Sequence, residues 1–399
     1  MGYLALYRKY RPQTFDEVYG QEAIVQTLQN QIKADRLGHA YLFSGPRGTG
    51  KTSIAKIFAK AVNCTGTGTK PCLQCECCKA TQDGINIDIV EIDAASNNGV
   101  DNIRELIEEC SYLPQRGKKK VYIIDEVHML SGSAFNALLK TLEEPPSHVL
   151  FILATTEFHK VPPTIYSRCQ RFQFKLMDEN TIVHALQDIC IKEKIEWTKE
   201  GLEHIAKLAK GGMRDAISFL DQAATFGDKH ITEDIVSDVF GEPDTDALNR
   251  IIEYVKQDNP IKALDEITEL FYEGKSLQNV AEGLYDYVKN ELFDDIQKGI
   301  EHGHEFHERA MRILGELSQT LRYNSSKTQF DIAVIRLCKP EMEEDTTSLK
   351  LRIQKLEQVV GDLASGSKVE FEVPKQIDTS GFISLQYACD PLTLTIYNK

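Results

Sequence analysis

Residues 45–52 read Gly-Pro-Arg-Gly-Thr-Gly-Lys-Thr and match the pattern G-x-x-x-x-G-K-[ST] at every fixed position. The apolar run Ala40–Phe43 precedes the motif, and a helical pattern from Lys51 through Val62 follows it. In such a loop, glycines let backbone N–H groups turn inward around an anion. Lys51 then reaches the β- and γ-phosphates, and Thr52 ligates Mg²⁺. A chance glycine-rich loop is the alternative, and the flanking strand and helix argue against it. The candidate phosphate-binding residues are Gly45, Pro46, Arg47, Gly48, Thr49, Gly50, Lys51, Thr52 and Ser53.

A phosphate-binding loop works together with carboxylates on a neighbouring strand, and an acidic pair in this sequence can supply them. The apolar run Val121–Ile124 ends directly in Asp125 and Glu126. We expect Asp125 to hold the magnesium ion through water and Glu126 to polarise the attacking water. An ordinary acidic pair that caps a strand is the alternative, and the presence of the phosphate loop favours the catalytic interpretation.

Short apolar runs alternate with helical patterns over the first 175 residues. This alternation predicts an α/β fold with a parallel sheet and helices on both faces. Two of these runs, Ala40–Phe43 and Val121–Ile124, are described above. The others are Ile89–Ile92, Val149–Ala154 and Phe172–Phe174.

The strand signals stop after Met177, and the rest of the chain reads as helical. Residues 179–242 predict a small helical domain with helices at Asn180–Lys192, Lys199–Ala209, Arg214–Phe226 and Thr232–Val239. Residues 243–363 predict a second helical domain, which includes an amphipathic helix at Leu349–Leu363. Residues 364–399 form a polar tail of unknown role with weak β character at Phe382–Tyr397.

The charge is divided unevenly along the chain. The net charge is −14, but residues 1–180 carry 21 Lys and Arg against 20 Asp and Glu. A contact with DNA is therefore expected from a local patch in the first half. No run of 18 apolar residues and no export signal is found, so we expect a cytoplasmic protein without a membrane span.

Five of the ten cysteines fall within residues 64–78. Cys64, Cys72, Cys75 and Cys78 include two C-x-x-C steps, the tight spacing that tetrahedral zinc requires. Cys77 lies between two of these and is expected to be the spare thiol. A structural zinc would stabilise a loop with little core of its own. A redox dithiol is the alternative, and four spaced thiols favour zinc.

Four further polar residues lie at positions suited to phosphate chemistry. Thr155 and Thr156 end the run Val149–Ala154, where either hydroxyl could orient the attacking water or simply cap a turn. Arg168 and Arg214 stand alone in the pattern, and spacing by itself favours ordinary solvated or ion-paired arginines.

These motifs, in this order, resemble the AAA+ clamp loaders, and together they resemble the gamma/tau subunit family of bacterial DNA polymerase III. The resemblance covers residues 1–340. It is carried by the P-loop, the cysteine insertion after it and the segments Tyr7–Pro12, Phe15–Gln21, Asp125–His128, Ala154–Glu157, Ser167–Cys169 and Gly212–Asp215. Only about sixty residues follow Pro340, as in the short gamma-like form.

The resemblance implies roles that spacing does not show. Residues 1–178 would be the AAA+ nucleotide-binding domain with a zinc module at 64–78, residues 179–242 the lid and residues 243–363 the collar. Thr155 would be the first sensor, Arg168 an arginine finger for the ATP of the neighbouring subunit, and Arg214 the sensor that links nucleotide to the lid. The residues implied to bind adenine are Tyr7, Arg11, Pro12 and Val18.

The family's function implies an ATPase that opens the β sliding clamp and loads it on primed DNA. Its implied partners are delta, delta prime and further copies of this chain in a pentameric ring within the nucleoid-associated replisome. ATP, Mg²⁺ and structural Zn²⁺ are the implied cofactors, and no polymerase active site is expected. A branch-migration motor of AAA+ type and a non-hydrolysing loader scaffold remain alternatives.

Overall fold

The computed structural model describes residues 4–299, 304–323 and 326–342, and residues 346, 348–350, 352, 353, 356 and 357 beyond them. The described chain divides into two compact units at Gly241. The polar tail 364–399, with its weak β stretch, lies outside the described residues, and the expected helix Leu349–Leu363 lies only partly within them.

The first unit begins with strands and helices in alternation. The elements in chain order are α1 (Leu6–Lys9), α2 (Glu22–Lys33), β1 (Ala40–Ser44), α3 (Lys51–Val62), α4 (Glu76–Gln82), β2 (Ile89–Asp93), α5 (Val100–Glu109), β3 (Lys120–Asp125), α6 (Gly132–Glu143), β4 (Val149–Thr155), α7 (Pro163–Tyr166) and β5 (Gln170–Gln173). Short 3-10 helices lie at Phe15–Glu17, Val127–Met129 and Phe158–Lys160. The strands form one parallel sheet in the order β2-β3-β4-β1-β5.

Helices cover both faces of this sheet, as the alternation of patterns predicts. Tyr41 and Phe43 of β1 pack into a core with apolar residues of α2 and α3. Ala40 and Leu42 point to the opposite face and pack with residues of α5 and α6. Because successive side chains of a strand alternate between faces, the single run of β1 supplies two cores.

The strand order brings the ends of β1, β3 and β4 together. β4 pairs with β3 on one side and with β1 on the other, and Ser44 of β1 lies opposite Thr155 of β4. All three strands are parallel, so their carboxyl ends meet at one edge of the sheet. The glycine-rich loop and the acidic pair therefore leave the sheet side by side.

The first unit ends in a helical subdomain. It contains α8 (Glu179–Glu193), β6 (Glu196–Trp197), α9 (Lys199–Leu208), α10 (Met213–Phe226), β7 (His230–Ile231) and α11 (Glu233–Phe240). The four helices share one apolar core. The expectation that no strand follows Met177 is wrong, because β6 and β7 pair in parallel. Two-residue strands are too short to show an alternating pattern.

The second unit is helical over its described residues. It contains α12 (Thr245–Lys256), α13 (Pro260–Tyr272), α14 (Leu277–Gln297), α15 (Glu305–Leu321), α16 (Lys327–Cys338) and a 3-10 helix at Pro340–Met342. One face of α12 is buried in its core and carries Leu248, Ile251, Ile252 and Val255. Among the helices described in either unit, none has the length and apolar character needed to span a membrane.

The loop before β3 is anchored by Asp88, which is 1% exposed. Its carboxylate accepts hydrogen bonds from the backbone N–H groups of Gln115, Arg116 and Gly117 at 2.8, 2.6 and 2.7 Å. This loop fixes the start of the strand that ends in Asp125.

Replacing Asp88 by Ala should therefore lower the free energy of unfolding by about 2–4 kcal/mol, because three donors lose their acceptor. Denaturant unfolding of the full chain, followed by circular dichroism, measures the loss. Asp83→Ala removes an exposed carboxylate at the end of α4 and should change stability by less than about 0.5 kcal/mol. An equally small effect of Asp88→Ala would contradict the anchoring role.

Candidate nucleotide-binding site and cysteine cluster

The glycine-rich loop joins β1 to α3, and two of its glycines have conformations that other residues resist. Gly50 caps α3 with a φ of +93°, in the left-handed region. A Cβ atom at Gly45 would lie 2.4 Å from the carbonyl oxygen of Phe174. The loop is thus held against the segment after β5. A side chain at Gly45 would clash with that segment, and one at Gly50 would strain the backbone.

Lys51 is the first residue of α3 and is almost fully buried. Its ammonium group donates hydrogen bonds to the carbonyl oxygens of Gly45 and Pro46, at 2.8 and 2.7 Å. Burial lowers the pKa of Lys51, while the charges of Glu126 and Asp125 act in the opposite direction. The loop therefore holds a cation next to the acidic pair.

Thr52 and Asp125 meet at the edge of the sheet. The Thr52 hydroxyl donates a hydrogen bond of 2.7 Å to Oδ2 of Asp125. A hydroxyl and a carboxylate from two elements give neighbouring oxygen ligands, the donor type that Mg²⁺ prefers. The donor set fits a magnesium ion.

Glu126 follows β3 in a left-handed conformation with a φ of +47°, which is unusual for a residue with a side chain. Its Oε2 atom accepts a 2.9 Å hydrogen bond from the Thr156 hydroxyl and lies 3.4 Å from Nδ1 of His128. This turn directs the carboxylate away from the strand, and two neighbours fix its orientation.

The two threonines at the end of β4 have different surroundings. Thr155 is fully buried, and its hydroxyl oxygen lies 3.0 Å from Nδ1 of His128 and accepts a 3.0 Å hydrogen bond from the N–H of Glu157. Thr156 lines the large pocket described next. The structure therefore places Thr156 in the pocket and Thr155 behind it.

A pocket of about 1110 Å³ surrounds these groups. Its walls come from the N-terminal segment, the glycine-rich loop, the acidic pair and helices α8 and α10. The sequence also predicts Gly45 and Pro46 to bind nucleotide, but they do not line the pocket, and their carbonyl oxygens accept the hydrogen bonds of Lys51. The other expected nucleotide-binding residues that line it are Tyr7, Arg11, Pro12, Val18, Arg47, Gly48, Thr49, Gly50, Lys51, Thr52, Ser53 and Arg214.

The N-terminal segment links the loop to the helical subdomain. Nε of Arg11 donates a 3.2 Å hydrogen bond to the hydroxyl of Ser53 in α3. The guanidinium carbon of Arg214 lies 5.1 Å from the ring centre of Tyr7. The pocket thus connects residues from three parts of the sequence.

Tyr19 and Asp188 form a contact that the sequence reading missed. The tyrosine hydroxyl donates a 2.5 Å hydrogen bond to Oδ2 of Asp188 in α8, and both residues line the pocket. Burial and this carboxylate raise the pKa of Tyr19 to about 12. The two residues are far apart in the chain, so no local pattern signals the pair.

Arg168 lies between α7 and β5, outside the pocket lining. Its side chain is 32% exposed and forms an ion pair with Glu143. It also donates a 2.6 Å hydrogen bond to the carbonyl oxygen of Thr164. The structure does not bring Arg168 to the pocket of its own chain.

The four expected zinc ligands come together. The Sγ atoms of Cys64, Cys72, Cys75 and Cys78 all lie within 4.8 Å of one another. Tetrahedral zinc with bonds of about 2.3 Å places its sulfur ligands about 3.8 Å apart. Small side-chain movements would therefore complete a four-sulfur site.

Backbone groups favour the thiolate form of two of these cysteines. Burial raises the pKa of Cys75, but hydrogen bonds from the N–H groups of Cys78 and Thr65 outweigh it and bring the pKa to about 6. Hydrogen bonds from the N–H groups of Gln74 and Cys75 lower the pKa of Cys72. Thiolates are the form that binds metal.

Two family models match the first unit. The model described as DNA polymerase III, delta subunit, matches residues 20–178. The model described as DNA polymerase III clamp loader subunit, ATPase lid domain, matches residues 181–229. The expected clamp-loader ATPase and lid are thereby confirmed at the level of the family.

Curated relatives and solved structures extend the comparison. The DNA polymerase III subunit tau of Bacillus subtilis is 43% identical over 94% of this chain and 71% of its own length. The Escherichia coli subunit tau is 46% identical over 67% of this chain and 42% of its length. The chain thus spans less than half of that second relative.

The Thermotoga maritima RuvB branch migration motor aligns over 62% of this chain and 80% of its own, with 19% identity and a TM-score of 0.45. From the family models and the identity to the Bacillus subtilis subunit, the chain belongs to the tau/gamma family of DNA polymerase III clamp-loader subunits.

Proposed function

We propose that this chain is the ATPase motor of a clamp loader, which binds and hydrolyses ATP to open the β sliding clamp and load it on primed DNA. The observation that carries the proposal is the convergence of Lys51, Thr52, Asp125 and Glu126 on a pocket that the helical subdomain also lines. A non-hydrolysing scaffold would not need this complete set.

ATP is the substrate that the pocket suits. The glycine-rich loop and Lys51 would hold its phosphates, because an N-terminal helix end and an ammonium group both attract anions. Tyr7, Arg11, Pro12 and Val18 line the pocket on the side of the N-terminal segment, where we place the adenine.

Thr52 and Asp125 would hold the magnesium ion. The ion supplies positive charge that offsets the charge developing on the phosphate oxygens. Glu126 would then accept a proton from the attacking water as the water oxygen bonds to the γ-phosphorus. The bond from that phosphorus to the β–γ bridging oxygen would break, which releases ADP and phosphate. The hydrogen bond from Thr156 fixes the carboxylate that performs this step.

Arg214 would couple nucleotide binding to the position of the lid. It lies near the start of α10 and lines the same pocket as the glycine-rich loop. A guanidinium group that binds phosphate would draw α10 towards the nucleotide. ATP would thereby bias the position of the helical subdomain, as a ligand biases any two-state element.

Arg168 would act on the ATP of a neighbouring subunit. Its position outside the lining of its own chain's pocket and its partial exposure support this role. Hydrolysis would then depend on how subunits are arranged in the ring with delta, delta prime and further copies of this chain. Primed DNA that aligns the subunits would trigger it.

We further propose the division that the family suggests, with nucleotide binding in 1–178, the lid in 179–242 and the collar in 243–363. The four-cysteine cluster of 64–78 would hold a structural zinc. Its four sulfurs leave no open ligand position, so the ion would stabilise the loop and take no part in hydrolysis.

Arg168→Ala should abolish stimulation of hydrolysis in the reconstituted loader while ATP binding persists. The loss in the chemical step should be on the order of 10³-fold, as for other arginine fingers supplied in trans. Single-turnover hydrolysis with and without clamp and primed DNA measures it.

The matched control for this test is Arg116→Ala, because Arg116 is also an exposed arginine in an ion pair, with Glu76 at 3.6 Å. It should keep full stimulation. We also expect little hydrolysis by the isolated chain. Hydrolysis that is independent of Arg168 in the full loader would refute the trans mechanism.

Thr156→Val should lower the hydrolysis rate by about tenfold without weakening ATP binding, because Glu126 loses the hydroxyl that orients it. Thr155→Val breaks a buried hydrogen-bonded group and should instead cost about 1–2 kcal/mol of stability. Nucleotide binding, single-turnover rates and thermal unfolding of both variants separate the two roles. The reverse result would assign the catalytic contact to Thr155.

Cys78→Ser should reduce the zinc content of the purified chain by one equivalent and destabilise the loop. Cys77→Ser is the matched control, because Cys77 is equally buried but lies outside the four-sulfur cluster. Elemental analysis and the thiolate charge-transfer band of the cobalt-substituted protein follow the site. Equal metal content in both variants would count against the zinc site.

A further inference from the structure

A second group of metal-binding side chains lies in the second unit, far from the cysteines in sequence. Asp295 is near the end of α14, His304 precedes α15, and His307 lies in its first turn. Their ligand atoms all lie within 4.8 Å of one another. The spacing of His304 and His307 places them on one side of the turn.

His307 is the best-defined member of this group. It is 7% exposed, and neither of its ring nitrogens has a hydrogen-bond partner among the described residues. A buried imidazole whose nitrogens make no hydrogen bond is costly. Its Nε2 atom lies 3.9 Å from Oδ2 of Asp295 and 3.4 Å from Oε2 of Glu291.

Two carboxylates face one imidazole nitrogen, an arrangement that a bound cation would stabilise. Glu291 has part of its charge balanced by Lys256, whose ammonium group binds the other oxygen at 2.5 Å. Oε2 of Glu291 is buried and has no hydrogen bond in the described structure. A ligand atom of His304 lies close to the same point, so two imidazoles and a carboxylate surround it.

We propose that Asp295, His304 and His307 form a binding site for a divalent transition-metal ion of the zinc type. Two imidazoles and a carboxylate are ligands that zinc accepts, with bonds of about 2.0–2.2 Å. Ligand atoms this close can reach one ion after small side-chain movements. Three protein ligands leave a fourth position for water or for the nearby Glu291.

An ion at this site would link α14 to α15. Asp295 belongs to α14, His304 caps α15 and His307 lies in its first turn, so a bound ion would hold the two helices together. Metal binding that requires the folded arrangement stabilises that arrangement. The site would therefore strengthen the second unit independently of the cysteine cluster and of ATP.

The test is equilibrium dialysis of the full chain against micromolar free Zn²⁺, followed by elemental analysis. Wild type should bind one more zinc per chain than His307→Gln. Losing a partner that merely supports a ligand already weakens metal binding about 10–100-fold, so loss of a direct ligand should cost at least as much. The thermal unfolding temperature of wild type should rise with zinc more than that of the variant.

His230→Gln is the control, because His230 also pairs with a carboxylate, that of Glu196 at 3.0 Å, but is exposed and belongs to no metal-binding group among the described residues. It should bind as much zinc as wild type. His304→Gln, which changes a half-buried side chain, repeats the test should His307→Gln fail to fold. Equal zinc content in wild type and in the folded ligand variants would overturn the proposal.

Discussion

The placement of β4 between β1 and β3 is the constraint on which the nucleotide pocket depends. Adjacent strands lie about 4.8 Å apart, so the ends of β1 and β3 are separated by about 10 Å. Thr52, the second residue of α3, spans this gap and hydrogen-bonds to Asp125. Because the three strands are buried on both faces, the sheet holds the distance fixed, and the loop and the acidic pair cannot drift apart.

The same burial explains which elements the sequence reveals. β1, β3 and β4 carry continuous apolar runs, and their expected bounds differ from the observed ones by one residue at most. β5 lies at the sheet edge with only Phe172 buried, and it begins two residues before the expected run. β6 and β7 are fixed by tertiary pairing alone, so no pattern within two residues could reveal them.

The residues of the pocket also differ in whether the sequence predicts them. Lys51, Thr52, Asp125 and Glu126 follow from local motifs, since each motif fixes a residue next to the end of a strand. Thr155 is buried and Thr156 lines the pocket, and this depends on where each side chain points at the end of β4. Neighbouring threonines in a sequence do not reveal it. The bond between Tyr19 and Asp188 joins residues that only the fold brings together. The sequence therefore predicts the part of the pocket around Lys51 and Asp125 better than the part formed by the helical subdomain.

The ion pair between Arg168 and Glu143 bears on the proposed trans mechanism. The arginine is about one-third exposed and the glutamate half exposed, and such pairs contribute only about 0–1 kcal/mol. A triphosphate on a neighbouring subunit offers several charged oxygens in a water-poor interface, where charge-assisted hydrogen bonds are stronger. The guanidinium group can therefore leave Glu143 at little cost once subunits align. In the proposed mechanism, Glu143 would hold Arg168 until the subunits align, and a weak ion pair suits a residue that would act only after assembly.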